Sequence, residues 1–158
     1  MKILAIDPST RALGYALFAL RARMRASLVR FETIRVSQRL GAYIDRIDIM
    51  CERVTGIVKR ERPSLCVIEM PQIFGSGKGA AANNSGSVMK LTACVFSLRS
   101  SLRSLGVRVE LVPVSRWKGT CPKEITQRRM LRKWGAEGDH NAIDAVGLGS
   151  WFISSLKI

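Results

Sequence analysis

KILAID (Lys2–Asp7), PSTR (Pro8–Arg11) and ALGYALFAL (Ala12–Leu20) follow one another at the start of the chain, and their reading decides the fold. KILAID is a continuous apolar run closed by a carboxylate, the pattern of a central strand covered on both faces. PSTR turns the chain, and ALGYALFAL reads as a second strand. MRASLVRFETIR (Met24–Arg35) alternates well enough for a third, joined to the second by a hairpin around Arg21–Arg23. LCVIE (Leu65–Glu69) repeats the first motif, an apolar run ending in an acid. It returns through a helix, so it is expected parallel to the first strand. That arrangement brings Asp7 and Glu69 to one sheet edge, outside the carboxyl ends of strands, where sites form in open α/β sheets.

The rest of the chain supplies the covering layers. Ser37 is placed to cap a helix in which Leu40, Tyr43, Ile44, Ile47, Cys51, Val54 and Val58 share one face. Pro63 ends it. Pro71–Ser87 (PQIFGSGKGAAANNSGS) reads as a long loop, a length usually tied to function or mobility. A helix is expected over Val88–Leu105, then a strand in VRVELV (Val107–Val112) with Pro113 after it. SRWKGTCPKE (Ser115–Glu124) reads as a loop, EITQRRMLRKW (Glu124–Trp134) as a basic helix, and DHNAIDAVGLGSWFISSL (Asp139–Leu156) as a C-terminal helix. No repeat or linker divides the sequence. The expectation is one α/β domain over 1–158, a mixed five-stranded sheet flanked by helices.

Composition narrows the partners. The 158 residues suffice for one domain with a real core, and a 47% hydrophobic fraction argues against disorder. Lys and Arg number 26 against 12 Asp and Glu, a formal charge of +14. Such an excess favours nucleic acid or an anionic surface. No apolar run approaches the roughly 20 residues that span a bilayer, so no membrane association is expected. The sequence enters a strand at once, so no signal peptide is expected either. Cys51, Cys66, Cys94 and Cys121 form no CxxC pair, and His140 is the single histidine. Zinc is therefore disfavoured. Cys66 and Cys94 read as small core residues of a reduced, intracellular, cytoplasmic protein.

Three carboxylates stand out against this basic background. Asp7 and Glu69 end apolar strands, and Asp144 lies in DHNAIDAVGLG. A carboxylate at the edge of an apolar strand is costly unless paired, hydrated or cation-bound. Converging, the three would form a site for a hard cation. Most other acids have plainer settings. Asp45, Asp48, Glu52 and Glu61 follow the charged side of the first helix, Glu110 alternates with Arg108, and Glu32, Glu124 and Glu137 sit among basic residues.

IDPSTRALGYAL resembles the opening of the RuvC-type Holliday junction resolvases, where an Asp ends the first strand and a Gly-aromatic pair starts the second. VIEMPQIF resembles their second motif, DHNAIDAVGLG their last, and VPVSRWKG with Lys123 their basic segment. The motifs cover most of the chain in the family's order. The short, divergent sequence is more similar to phage-encoded members than to typical bacterial ones. The resemblance implies an RNase H-like fold, a homodimer, and paired symmetric cuts in four-way DNA junctions during recombination and repair. It also implies Mg²⁺, with Mn²⁺ able to substitute, at two ions per active site. Asp7 would bridge them, with Glu69 and Asp144 holding one each. Family members commonly carry Asp or His three residues before the last catalytic Asp, where this chain has Asn141. Asp139 or His140 would then complete the catalytic set. Helical spacing favours His140, the oxygen preference of Mg²⁺ favours Asp139, and a helix-capping role for Asp139 is the plain alternative.

The DNA-binding residues expected on this reading are Phe74, Lys78, Lys90, Arg116, Lys118 and Lys123. Phe74 corresponds to the aromatic with which the family wedges into the junction core. The cations would make salt-sensitive phosphate contacts. The stripe Arg128, Arg129, Arg132 and Lys133 is explained equally well by a solvated helix face. Val88, Leu91, Val95, Phe96, Leu98 and Leu102 could serve both core and dimer interface. Other readings are an RNase H-fold nuclease for other branched DNA or RNA–DNA hybrids, and a non-catalytic junction-binding protein. IDPST is also similar to the phosphate loop of actin-like ATPases, but those need two such domains, so no nucleotide cofactor is expected.

Overall fold

A computed structural model describes residues 1–21, 25–71 and 86–156. The order is β1 (Lys2–Asp7), β2 (Ala12–Leu20), β3 (Ala26–Arg35), α1 (Tyr43–Glu61), β4 (Leu65–Met70), α2 (Ser87–Ser104), β5 (Arg108–Pro113), α3 (Val114–Trp117), α4 (Lys123–Trp134) and α5 (His140–Ser155). The strands form one five-stranded sheet in the order β3-β2-β1-β4-β5. β1, β2 and β3 are antiparallel neighbours, while β1–β4 and β4–β5 are parallel. The mixed sheet expected from the strand and helix pattern is thus present.

Side-chain alternation splits the core in two. Leu4, Ile6, Cys66 and Ile68 face α1 and α2, packing on Met50, Val54, Leu98 and Leu102. Ile3, Ala5 and Val67 face the other way, onto Ile143, Val146 and Leu148 of α5. This double cover is why β1 carries no polar residue from Ile3 to Ile6. By the same two-residue period, Asp7 and Glu69 fall on the α5 face. The parallel register pairs Ile6 with Ile68, so the two carboxylates follow side by side.

The turn between β1 and β2 is held by Ser9, whose Oγ accepts from the backbone N–H of Arg11 and of Ala12 at 3.1 and 3.2 Å. Gly14, opposite Asp7 in the ladder, is required by packing. A Cβ there would lie 1.9 Å from the carbonyl oxygen of Asn141. The first turn of α5 therefore rests directly on β2, which sets where Asp144 arrives one turn later. Gly14→Ala must push this helix end away and is expected to cost about 2–3 kcal/mol. An unchanged urea midpoint would contradict the close approach.

Two expectations need correction. Ser37 does not cap α1; its Oγ accepts from the N–H of Arg39. The helix starts at Tyr43, after the exposed Leu40, and Asp45 accepts from the N–H of Ala42 at 2.8 Å. A side chain reaching back from inside the helix substitutes for a cap before it. Secondly, the segment read as a loop from Ser115 begins with a helical turn, α3, directly after β5. Pro113 supplies no N–H for the ladder to continue, and its fixed φ leads into that turn. Cys66 and Cys94 are core residues, and burial pushes both thiols up to about 12. Among the described residues no helix is long and apolar enough to cross a membrane.

Candidate active site

Asp7, Glu69 and Asp144 meet at the carboxyl edge of β1 and β4, under the first turns of α5. Asp7 is held well above its ordinary value, first by burial and then by the negative charges of Glu69 and Asp144. The positive charges of Lys118 and Lys123 pull it partly back. Burial also raises Glu69, against the lowering effect of a hydrogen bond from Trp117. The raised values of Asp7 and Glu69 report the cost of burying carboxylates beside other negative charges.

The α3 turn answers two of the charges. Trp117 Nε1 donates to Glu69 Oε2 at 2.8 Å. Lys118 Nζ donates to Asp144 Oδ2 at 2.6 Å, and the two side chains are only 12% and 13% exposed. Every other ion pair among the described residues has a more exposed member. Lys118, expected as a phosphate contact, is therefore turned inward in this structure. Among the described residues no three acidic, histidine or cysteine side chains stand in an arrangement that already grips an ion. One oxygen of Glu69 is held by an indole and one oxygen of Asp144 by an ammonium. The donor chemistry nevertheless suits a hard divalent cation: oxygen ligands only, with a charge excess that one buried ammonium does not balance.

Asp139 is placed elsewhere. It is the N-cap of α5, and its Oδ1 accepts from the Asn141 N–H, the Asn141 side-chain amide and the Thr33 hydroxyl. Oδ2 accepts from Arg35. These partners hold its pKa at about 2 despite the opposing effect of partial burial. A depressed folded value means stability that is complete above the ordinary 3.8 and lost as pH falls towards about 2. Asp139→Ala is expected to cost roughly 1–2 kcal/mol and to flatten that acid limb. Asp139→Asn keeps a capping oxygen and is expected to preserve most stability and cleavage. Loss of cleavage by the folded Asn variant would instead make Asp139 a ligand. His140 opens α5 as an exposed residue.

The remaining expected residues are distributed around this edge. Lys90 lies over the Tyr43 ring at 5.5 Å, and Arg116 over Trp151 at 5.9 Å. Phe74 and Lys78 lie outside the described residues. α4 divides the basic stripe that the sequence left ambiguous. Arg128 faces a groove shared with Glu124 and Glu137. Arg129, Arg132 and Lys133 line a groove of about 590 Å³ that opens beside Trp117 and Lys118 and has no carboxylate in its wall. The other acids keep plain partners: Glu32 with Arg30 and Tyr15, Glu61 with Lys2 and Arg60, Glu110 with Arg108. Sequence pattern alone gives Trp117 no role. A lone aromatic inside a basic loop was its only signal.

No family model and no curated protein sequence matches this chain. Solved structures do. Thermus thermophilus RuvC, solved in complex with a Holliday junction substrate, superposes with a TM-score of 0.74 at 18% identity, over 98% of this chain and 96% of that one. The fowlpox virus Holliday junction resolvase gives 0.64 at 12% identity, over 99% and 100%. The yeast mitochondrial Holliday junction resolvase gives 0.59 at 9% identity, over 96% and 78%. The chain has the RNase H-like fold that these proteins share.

Proposed function

We propose that this protein is a divalent-metal-dependent endonuclease that resolves four-way DNA junctions by paired symmetric cuts. The observation that carries the reading is the convergence of Asp7, Glu69 and Asp144 on one sheet edge of a chain with formal charge +14. The fold shared with junction resolvases supports it, as does the neighbour solved with a junction.

Asp7, Glu69 and Asp144 are the residues that would hold Mg²⁺ or Mn²⁺. When bound, the ions supply an activated water and stabilisation of the leaving oxygen. The chain's own groups then do the rest. Lys118, freed from Asp144, and Lys123 meet the phosphate that enters the site. Arg129, Arg132 and Lys133 carry the adjoining backbone along the carboxylate-free groove, and Lys90 and Arg116 extend the contact. Phe74 is proposed to wedge between bases at the junction core. Such phosphate contacts make affinity fall steeply with salt.

Two cuts related by the junction's symmetry need two sites, which a twofold dimer provides. α2 buries Val95, Leu98 and Leu102 in the core but leaves Met89 and Phe96 exposed, at 64% and 47%. These two are proposed to meet a second copy. The reading is tested by offering four-way junction, fork, flap, linear duplex and RNA–DNA hybrid in Mg²⁺ or Mn²⁺. Preferential cutting of the junction is expected. Cutting only another substrate would keep the site and move the function to a different branched-DNA or hybrid nuclease.

A further inference from the structure

We propose that Trp117 is a positioning residue that aims the Glu69 carboxylate into the site, held to that task by Gly147. The inference rests on reading the carboxylates as a cation site, but its geometry stands apart from that reading.

An indole N–H can donate and cannot accept or ligate, so toward Glu69 it can only orient. The bond is 2.8 Å, to a carboxylate whose burial and proximity to Asp144 disfavour its charge. Trp117 belongs to α3 and Glu69 to β4, so the donor reaches across from a separate element. What fixes the ring is α5. A Cβ at Gly147 would lie 2.8 Å from Trp117 Cζ3 and 3.3 Å from Cη2. The helix therefore gives up a side chain where the indole lies, and a residue poor in helix propensity is kept within α5. The next residue, Lys118, holds Asp144 from the same turn. One short turn thus sets two carboxylates at once, and only the lysine can leave for a substrate phosphate. Groups hydrogen-bonded to a metal ligand commonly matter about 10–100-fold to metal affinity.

The experiment separates the geometry from the metal reading. Trp117→Phe keeps the packed ring and deletes the donor. Gly147→Ala keeps the donor and displaces the ring. In calorimetric titration with Mn²⁺ alone, each is expected to weaken binding about tenfold, and the double variant no further. In the metal-free protein, the Trp117 indole ¹⁵N–¹H resonance, identified by its loss in Trp117→Phe, is expected to move in Glu69→Gln. A resonance that does not move overturns the contact. Wild-type Mn²⁺ affinity in Trp117→Phe overturns the positioning role. Absence of Mn²⁺ binding by the wild type, with the resonance moving as expected, overturns the metal-site reading and leaves the Trp117–Glu69 contact standing.

Discussion

Asp7→Asn is expected to abolish junction cleavage, by roughly 10³-fold or more, while junction binding survives and thermal stability rises. The loss follows from position. Asp7 is the group on which the charges of both Glu69 and Asp144 act. An amide keeps the shape but withdraws the anionic oxygen a hard cation needs. An effect worth about 4 kcal/mol on the barrier corresponds to about a thousandfold in rate. The gain in stability follows from the same crowding. A carboxyl whose folded pKa lies above its ordinary value costs stability at neutral pH, and the cost is relieved as pH falls through the folded value. Replacing Asp7 by Asn removes that cost at once. Each kcal/mol recovered moves the melting temperature by roughly 2–4 °C in a chain of this size. Divalent metal should stabilise the wild type and have little effect on the variant. Melting curves with and without Mg²⁺, beside the cleavage assay, check both halves. A variant that loses cleavage but melts lower than wild type would mean that Asp7 is structurally supported rather than electrostatically crowded.

Lys118→Met carries the second large effect, on stability rather than chemistry alone. Lys118 and Asp144 are nearly buried, and removing one member of such a pair leaves an uncompensated charge. The expected cost is about 3 kcal/mol in metal-free protein. Here the stranded charge also sits beside Glu69 and Asp7, whose own negative charges add to the cost. Saturating Mg²⁺ is expected to narrow the gap to wild type, because a bound cation takes over the neutralising role. Urea unfolding with and without Mg²⁺ measures this directly. An equal loss in both conditions would show that the ammonium and the ion do not compete for Asp144.

These expectations differ in how far they could be read from sequence. The apolar runs of β1 and β4, each closed by an acid, were enough to place Asp7 and Glu69 on one edge. Strand alternation, a local property, then puts them on one face. Asp144 was legible through its motif. Its partner was not. Lys118 lies 26 residues away, in a segment that reads as an open basic loop. The single turn of α3 is too short to show a period, and it is this turn that rotates Lys118 inward. Trp117 was hidden for the same reason, since its role depends on Gly147, thirty positions on and recognisable only once α5 is docked. Spacing to Asp144, the sequence's ground for weighing Asp139, is a helical argument. Thr33 and Arg35, the residues that claim its carboxylate, lie 106 and 104 positions away and belong to a different element. Local pattern thus carried the fold and the three central acids, while long-range pairing decided what each acid is bonded to.

The most direct measurement is strand-specific cleavage of an immobile four-way junction, each strand end-labelled in turn, in Mg²⁺ and in chelator, with Asp7→Asn alongside. Paired cuts at symmetric positions on opposing strands, present only with Mg²⁺ and absent in the variant, are the expected result. Tight junction binding with no cut in any strand, or cuts that persist in Asp7→Asn, would contradict the assignment of this carboxylate edge as the catalytic centre.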